Sequence, residues 1–134
     1  MKNRKSNIAM GFVIFIAGLM ILMSCGSSSP ITRSYEKVSE EYPGAWEWCE
    51  LADDGSYLTI DTNPYDEDEY ISLDARDMVG DINKELGFPE SVMARMDNTR
   101  NMDGMQDYEG KDVRAQWTFH PNRGLIVIYE LKGK

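Results

Sequence analysis

Two strand patterns near the C-terminus require this chain to build its fold on a β-sheet. From Val113 to Phe119 apolar residues alternate with polar ones, as in a strand with one buried face and one wet face. Pro121-Asn122-Arg123-Gly124 predicts a turn, and Leu125 to Leu131 is an almost continuous apolar run. Because that run offers few polar side chains to water, we expect it to be a central strand.

A second hairpin is predicted nearer the N-terminus. Trp46 to Leu51 and Tyr57 to Thr62 are rich in aromatic and β-branched residues, and they flank Asp53-Asp54-Gly55-Ser56. Asp-Gly between two such runs is a strong hairpin signal. The two hairpins together predict four strands.

Helical patterns lie between and before the hairpins. Apolar residues recur at helical spacing from Ile71 to Leu86, where Asp74 and Asp77 are placed like a capping box and Gly87 follows the end. Phe88-Pro89-Glu90 predicts the start of a second helix. A short helix is predicted from Arg33 to Tyr42, and Asn98 to Gly110 is predicted to be a long loop.

These elements predict an α+β domain. We expect a four-stranded, mainly antiparallel sheet made of the two hairpins, with the two helices between them on one face and the short helix at the N-terminus. Strand alternation and helix period predict which side chains form the core. They are Trp117, Phe119, Val127 and Tyr129 from the strands, and Met78, Ile82 and Leu86 from the long helix.

The N-terminus has the layout of a secretory signal. Lys2, Arg4 and Lys5 precede sixteen mostly apolar residues, Ile8 to Met23, and small residues follow. As a helix, sixteen residues reach only about 24 Å, which is short of a hydrocarbon core of roughly 30 Å. A cleaved signal is therefore favoured over a permanent spanning helix.

The junction Leu22-Met23-Ser24-Cys25 resembles the lipobox of bacterial lipoproteins. The resemblance implies that residues 1–24 are removed, that Cys25 becomes the N-terminus, and that a diacylglyceryl group is attached to its sulfur. Two acyl chains give stable anchoring. It also implies a place in the bacterial cell envelope, on the extracytoplasmic side of a membrane. We expect residues 25–32 to be a flexible Gly/Ser-rich tether and residues 33–134 to be a single domain.

The charge of the chain argues against one class of partner. With 14 basic and 23 acidic residues the net charge is −9, and removing Lys2, Arg4 and Lys5 with the signal leaves 11 basic residues and −12. This balance argues against nucleic-acid binding and against general attraction to anionic lipid. Fourteen acidic residues lie between Glu47 and Glu90 against two basic ones, a surface that would steer a cationic partner.

Catalytic motifs are not evident in this sequence. Histidine occurs once, at His120, and Cys49 would be a lone thiol if Cys25 carries lipid. We expect Cys49 to be a small buried residue on a strand. Paired carboxylates suited to glycoside cleavage could arise by folding, since acidic residues are abundant.

Two groups of residues are candidate binding sites. Trp46 and Trp48 lie two apart, so on a strand they share a face, either as a platform for a glycan or peptide or as core packing. A second group could supply oxygen ligands to a weak calcium site that is not an EF-hand. Its members are Asp61, Asn63, Asp66 and Asp68. For that loop we expect a solvated segment without a specific metal.

The sequence thus predicts a membrane-anchored envelope lipoprotein whose domain is a binding or interaction module rather than an enzyme. Its partners would be the membrane, through the N-terminal lipid, and an unknown protein or glycan. No cofactor is expected. The alternatives are a small envelope hydrolase that uses carboxylates and a weak calcium-binding module.

Overall fold

The computed structural model describes residues 26–66 and 71–133. The described residues form an α+β domain with a five-stranded antiparallel sheet, which confirms the predicted fold class. Its main elements, numbered in chain order, are α1 Pro30–Ser39, β1 Cys49–Leu51, β2 Tyr57–Asp61, α2 Leu73–Glu85, α3 Glu90–Asp97, β3 Gln106–Glu109, β4 Val113–His120 and β5 Gly124–Leu131.

The strand order is β1-β2-β5-β4-β3. β5 is therefore the central strand, in agreement with its apolar sequence. It pairs with β4 through Trp117 opposite Val127, and with β2 through Leu58 opposite Tyr129. None of the helices in the described ranges combines the length and the apolar composition that crossing a bilayer requires.

The fifth strand, β3, corrects the prediction of four strands. It lies within Asn98 to Gly110, for which the sequence predicts a loop. β3 is an edge strand paired only with β4, and its exposed residues Asp107 and Glu109 give it no continuous apolar pattern. The ring of Tyr108 packs edge-to-face on Phe88 at 4.9 Å, which fastens the strand to the core.

The first helix begins and ends earlier than predicted. α1 runs from Pro30 to Ser39 rather than from Arg33 to Tyr42, so residues 30–32 belong to a helix and not to a flexible tether. Ser29 caps it by accepting a hydrogen bond from the Thr32 amide at 3.0 Å. Ser followed by Pro is a helix-start signal. It is easily missed here, because the Gly and Ser residues before it are also typical of a flexible linker.

The cap of α2 also differs from the prediction. Ser72, not a pair of acidic residues at Asp74 and Asp77, is the N-cap, and its Oγ accepts a hydrogen bond from the Ala75 amide at 3.1 Å. The helix ends at Glu85. Gly87 just beyond it has a φ of +74°, the left-handed conformation that commonly ends a helix.

The core lies between the helices and one face of the sheet. Phe119 and Leu86 are only partly buried and pack against its margin. The buried hydroxyl of Tyr129 donates a hydrogen bond to Asn83 Oδ1 at 2.7 Å, so its polar atom is satisfied. Five of the seven predicted core residues are no more than 1% exposed: Met78, Ile82, Trp117, Val127 and Tyr129.

The antiparallel strands give the domain two opposite ends. At the first, which we call the Ser29 end, Ser29 Oγ donates to the Gly55 carbonyl in the β1–β2 turn, and the β3–β4 turn lies at the same end of the sheet. At the second, the Asn63 end, Asn63 Nδ2 donates to the Asn122 carbonyl in the β4–β5 turn. The length of β5, eight residues, separates the two ends by about 26 Å.

Candidate functional site

An acidic hollow opens at the Asn63 end, beside the edge strand β1. Its volume is about 230 Å³. The residues that line it come from the segment before β1, from β1 itself, and from β2 and the residues just after it. They are Glu47, Trp48, Cys49, Glu50, Thr59, Asp61 and Pro64.

The chain enters this region through a turn that the sequence patterns do not predict. Gly44 has a φ of +91°, and a 3₁₀ turn follows at Ala45–Glu47. The turn directs Ala45 into the core and leaves Trp46 75% exposed. The Trp48 carbonyl then accepts a hydrogen bond from the Asp61 amide at 2.9 Å, which joins the start of β1 to the end of β2.

Strand pairing places two of the acidic side chains on one face of the sheet. Glu50 lies directly opposite Thr59. Asp61 lies two residues beyond Thr59 on β2, so its side chain is on the same face of the sheet. Glu47 reaches the hollow from the 3₁₀ turn. Three carboxylates from three different segments therefore line one small depression.

Neutral donors partly satisfy two of these carboxylates. Glu47 accepts a hydrogen bond from the Tyr65 hydroxyl, and Glu50 Oε1 accepts one from the Tyr57 hydroxyl at 2.9 Å. The second bond, helped by the charge of Glu50, raises the pKa of the Tyr57 phenol. Because these donors are uncharged, the hollow keeps its negative charge.

Asp61 is held by a local backbone contact. Its Oδ1 accepts a hydrogen bond from the Asn63 amide at 2.9 Å, which fixes the carboxylate where β2 ends. A side chain that bonds the backbone two residues later is a common turn device for Asp. The third carboxylate of the hollow is therefore also paired with an uncharged donor.

The predicted pair of tryptophans does not form a platform on a strand. β1 begins at Cys49, so Trp46 lies in the 3₁₀ turn and Trp48 lies just before the strand. Trp46 is exposed, whereas Trp48 is half-buried against the core, and its Nε1 has no hydrogen-bond partner in the part of the chain that the structure describes. The turn at Gly44 is the reason, since it breaks the strand alternation on which the prediction depends.

The residues of the predicted calcium loop bind other protein groups. Asn63 is 1% exposed and donates to the Asn122 carbonyl, and Asp66 Oδ1 accepts from Arg123 Nε at 2.8 Å. Asp68 lies outside the described residues. Within residues 26–66 and 71–133, no group of three or more His, Cys, Asp or Glu side chains is placed to hold a metal ion.

Cys49 is half-buried on β1. Its Sγ donates to Met78 Sδ at 3.7 Å, and burial raises the pKa of the thiol to about 12. The thiol therefore stays protonated at neutral pH and is a poor nucleophile there. Cys25 lies outside the described residues.

A larger groove of about 420 Å³ lies at the Ser29 end, between α1, the end of α2 and the β3–β4 turn. Sequence reasoning missed it, because its residues come from three distant segments. The one available signal is the spacing of Arg33 and Lys37, which places both cations on one face of a helix. Lys37 Nζ forms an ion pair with Glu85 at 2.6 Å, and Lys111 lines the groove from the β3–β4 turn.

Comparison of the chain with protein-family models, curated proteins and solved structures gives no match. The chemistry of the acidic hollow is therefore the guide to its ligand. Carboxylates attract ammonium and guanidinium groups, and an exposed indole such as that of Trp46 can bind either cation on its face. The hollow thus favours a positively charged ligand.

Proposed function

We propose that this chain is a bacterial envelope lipoprotein, anchored through Cys25, whose domain binds a cationic partner at the acidic hollow. The lipobox at Leu22 to Cys25 supports the anchor and the extracytoplasmic location. The observation that carries the binding function is that Glu47, Glu50 and Asp61 all line one depression.

The size of the hollow favours one side chain of a partner over a free small molecule. Pockets for drug-sized ligands usually measure about 300 to 1,000 Å³. At about 230 Å³ the hollow suits a single lysine or arginine head group presented by a protein surface. Trp46 does not line the hollow, but it is exposed in the same turn as Glu47, and we propose that it contacts the aliphatic stem of such a side chain.

The charge of the whole domain supports the same partner. A net charge of −12 after signal removal accelerates encounter with a basic protein and makes the association rate fall with added salt. This long-range attraction acts on any cation. Binding at the hollow must therefore be separated experimentally from general attraction.

The test measures binding of an oligolysine peptide to the full-length protein in a non-ionic detergent. The site variant is Glu47→Gln/Glu50→Gln/Asp61→Asn, which removes three charges and keeps an oxygen that can accept the Asn63 amide. We expect this variant to weaken binding about tenfold, because it removes the short-range contacts as well as three charges.

The matched control is Glu36→Gln/Glu40→Gln/Glu41→Gln. It removes the same number of charges from exposed positions in α1 and just after it. We expect this control to weaken oligolysine binding only about twofold, since it reduces the long-range attraction alone.

Trp46→Ala gives an independent check, because it leaves the net charge unchanged. We expect it to weaken oligolysine binding about two- to fivefold, as for an exposed cation–π contact. Equal losses in the site and control charge variants, together with no effect of Trp46→Ala, would contradict binding at the hollow.

A further inference from the structure

Only a short segment separates the predicted lipid from the folded domain. Ser29 Oγ accepts a hydrogen bond from the Thr32 amide at 3.0 Å, donates one to the Gly55 carbonyl at 2.7 Å and is hydrogen-bonded to Thr32 Oγ1 at 3.1 Å. Cys25 and Ser29 are four peptide units apart, which span at most about 14 Å. The Ser29 end of the domain therefore stays close to whatever surface holds Cys25.

The contact between Ser29 and Gly55 is tightly packed. A Cβ at Gly55 would lie 2.4 Å from Thr32 Oγ1 and 2.8 Å from Ser29 Oγ. The β1–β2 turn thus packs directly against the start of α1. A tether longer than Cys25 to Ser29 would form only if both the cap of α1 and this contact were broken.

The groove at the Ser29 end begins at the same place. Pro30 and Arg33, in the first turn of α1, line it together with Lys37 and Lys111. Three cations there face two carboxylates, those of Glu85 and Asp112. This is a local excess of positive charge in a domain that is strongly acidic.

Two of these cations are available to a ligand. Lys37 pairs with Glu85, whereas Arg33 and Lys111 form no ion pair within the described residues. Arg33 Nη1 donates to the Ser28 carbonyl at 3.0 Å, which holds the guanidinium beside the chain that leads to Cys25. A guanidinium and an ammonium that flank one groove suit a phosphate group.

We propose that this groove binds the phosphodiester head group of a phospholipid in the membrane that holds the anchor. The proposal rests on the proposed lipidation of Cys25. A tether this short gives an effective concentration of at least the millimolar order, so weak binding suffices despite the net negative charge of the domain. The Asn63 end, with the acidic hollow, then lies up to about 26 Å farther from the bilayer and faces soluble partners.

The experiment measures acetylation of Lys111 by mass spectrometry in the full-length, detergent-extracted protein. All proteins in this experiment carry the substitution Arg123→Lys, which places a second amine at the Asn63 end as a reference for acetylation away from the groove. The protein is compared in dodecyl maltoside micelles, which hold no phosphate, and in vesicles of phosphatidylcholine and phosphatidylglycerol. We expect Lys111 to react about threefold or more slowly in vesicles, while the reference amine at position 123 reacts equally in both.

Two variants separate head-group binding from simple shielding by the bilayer. Arg33→Gln should restore at least half of the lost Lys111 reactivity, whereas Arg100→Gln, which removes an exposed cation elsewhere, should restore none. Equal reactivity of Lys111 in micelles and vesicles would overturn the proposal. The proposal would also be overturned if inorganic phosphate, added to the micelles, protected Lys111 from acetylation as much as the vesicles do. Free phosphate would then be the ligand.

Intact mass separates failure of this proposal from failure of the proposed function. Protein that carries the diacylglyceryl mass but leaves Lys111 unprotected in vesicles contradicts the head-group site alone. Protein that lacks the diacylglyceryl mass contradicts the proposed lipidation of Cys25. It also removes the premise that the Ser29 end is held at a membrane.

Discussion

Trp117 joins the sheet to the segment that follows α3. It is 1% exposed, its Nε1 donates to Thr99 Oγ1 at 2.8 Å, and the Arg95 guanidinium lies 5.0 Å from its ring. Burial, a satisfied indole nitrogen and a cation–π contact therefore all depend on one side chain.

Trp117→Ala should lower the free energy of unfolding by about 3 to 5 kcal/mol, as large aromatic truncations in cores do. Urea unfolding followed by circular dichroism measures the change. Trp46→Ala is the matched control, and because Trp46 is 75% exposed we expect a change within about 0.5 kcal/mol. A loss under about 1 kcal/mol for Trp117→Ala would mean that the core does not depend on this ring.

Burial at single positions could be predicted where periodicity is regular. The alternation of β4 and the helical spacing of α2 correctly place Trp117, Met78 and Ile82 in the core. The exposure of Trp46 could not be predicted, because it depends on a turn at Gly44 that interrupts the strand pattern.

At the scale of elements, Ser29 connects the first helix to the first hairpin. Its Oγ caps α1 and also bonds the Gly55 carbonyl in the β1–β2 turn. Removing this oxygen leaves the Thr32 amide and the Gly55 carbonyl without this partner. Both losses destabilise the same contact between elements.

Ser29→Ala should cost about 1 to 2 kcal/mol of stability, more than loss of a solvent-exposed cap alone. Ser28→Ala is the neighbouring control, since Ser28 is exposed and its carbonyl, which bonds Arg33, is kept in the variant. Thermal and urea unfolding of the two variants measure the difference. Equal stability of the two would show that the Ser29 contacts are not needed to hold α1 on the hairpin.

Elements with their own patterns are predictable from the sequence, and elements that depend on a neighbour are not. β4, β5 and α2 carry regular spacing and lie close to their predicted bounds. β3 is not predicted, because an edge strand owes its stability to pairing with β4 rather than to its own apolar residues. The start of α1 is not predicted either, because the Gly and Ser residues before it are equally typical of a linker.

At the scale of the whole molecule, the two ends of the sheet differ in chemistry. The Ser29 end holds a groove with three cations, and the Asn63 end holds a hollow with three carboxylates. The acidic bias of residues 47–90 is visible in the sequence. The meeting of three carboxylates in one hollow is not, since it depends on the pairing of β1 with β2 and on the turn that positions Glu47.

The proposed lipid at Cys25 would determine which end of the domain faces a membrane, so its presence is the central point to test. The decisive measurement is the intact mass of the protein extracted from the membranes of a bacterial host. We expect a chain that begins at Cys25 and carries a diacylglyceryl group, and we expect Cys25→Ser to remain an unprocessed precursor or to leave the membrane. A wild-type chain that keeps residues 1–24 and carries no lipid, or normal lipidation of the Cys25→Ser variant, would contradict the lipoprotein assignment.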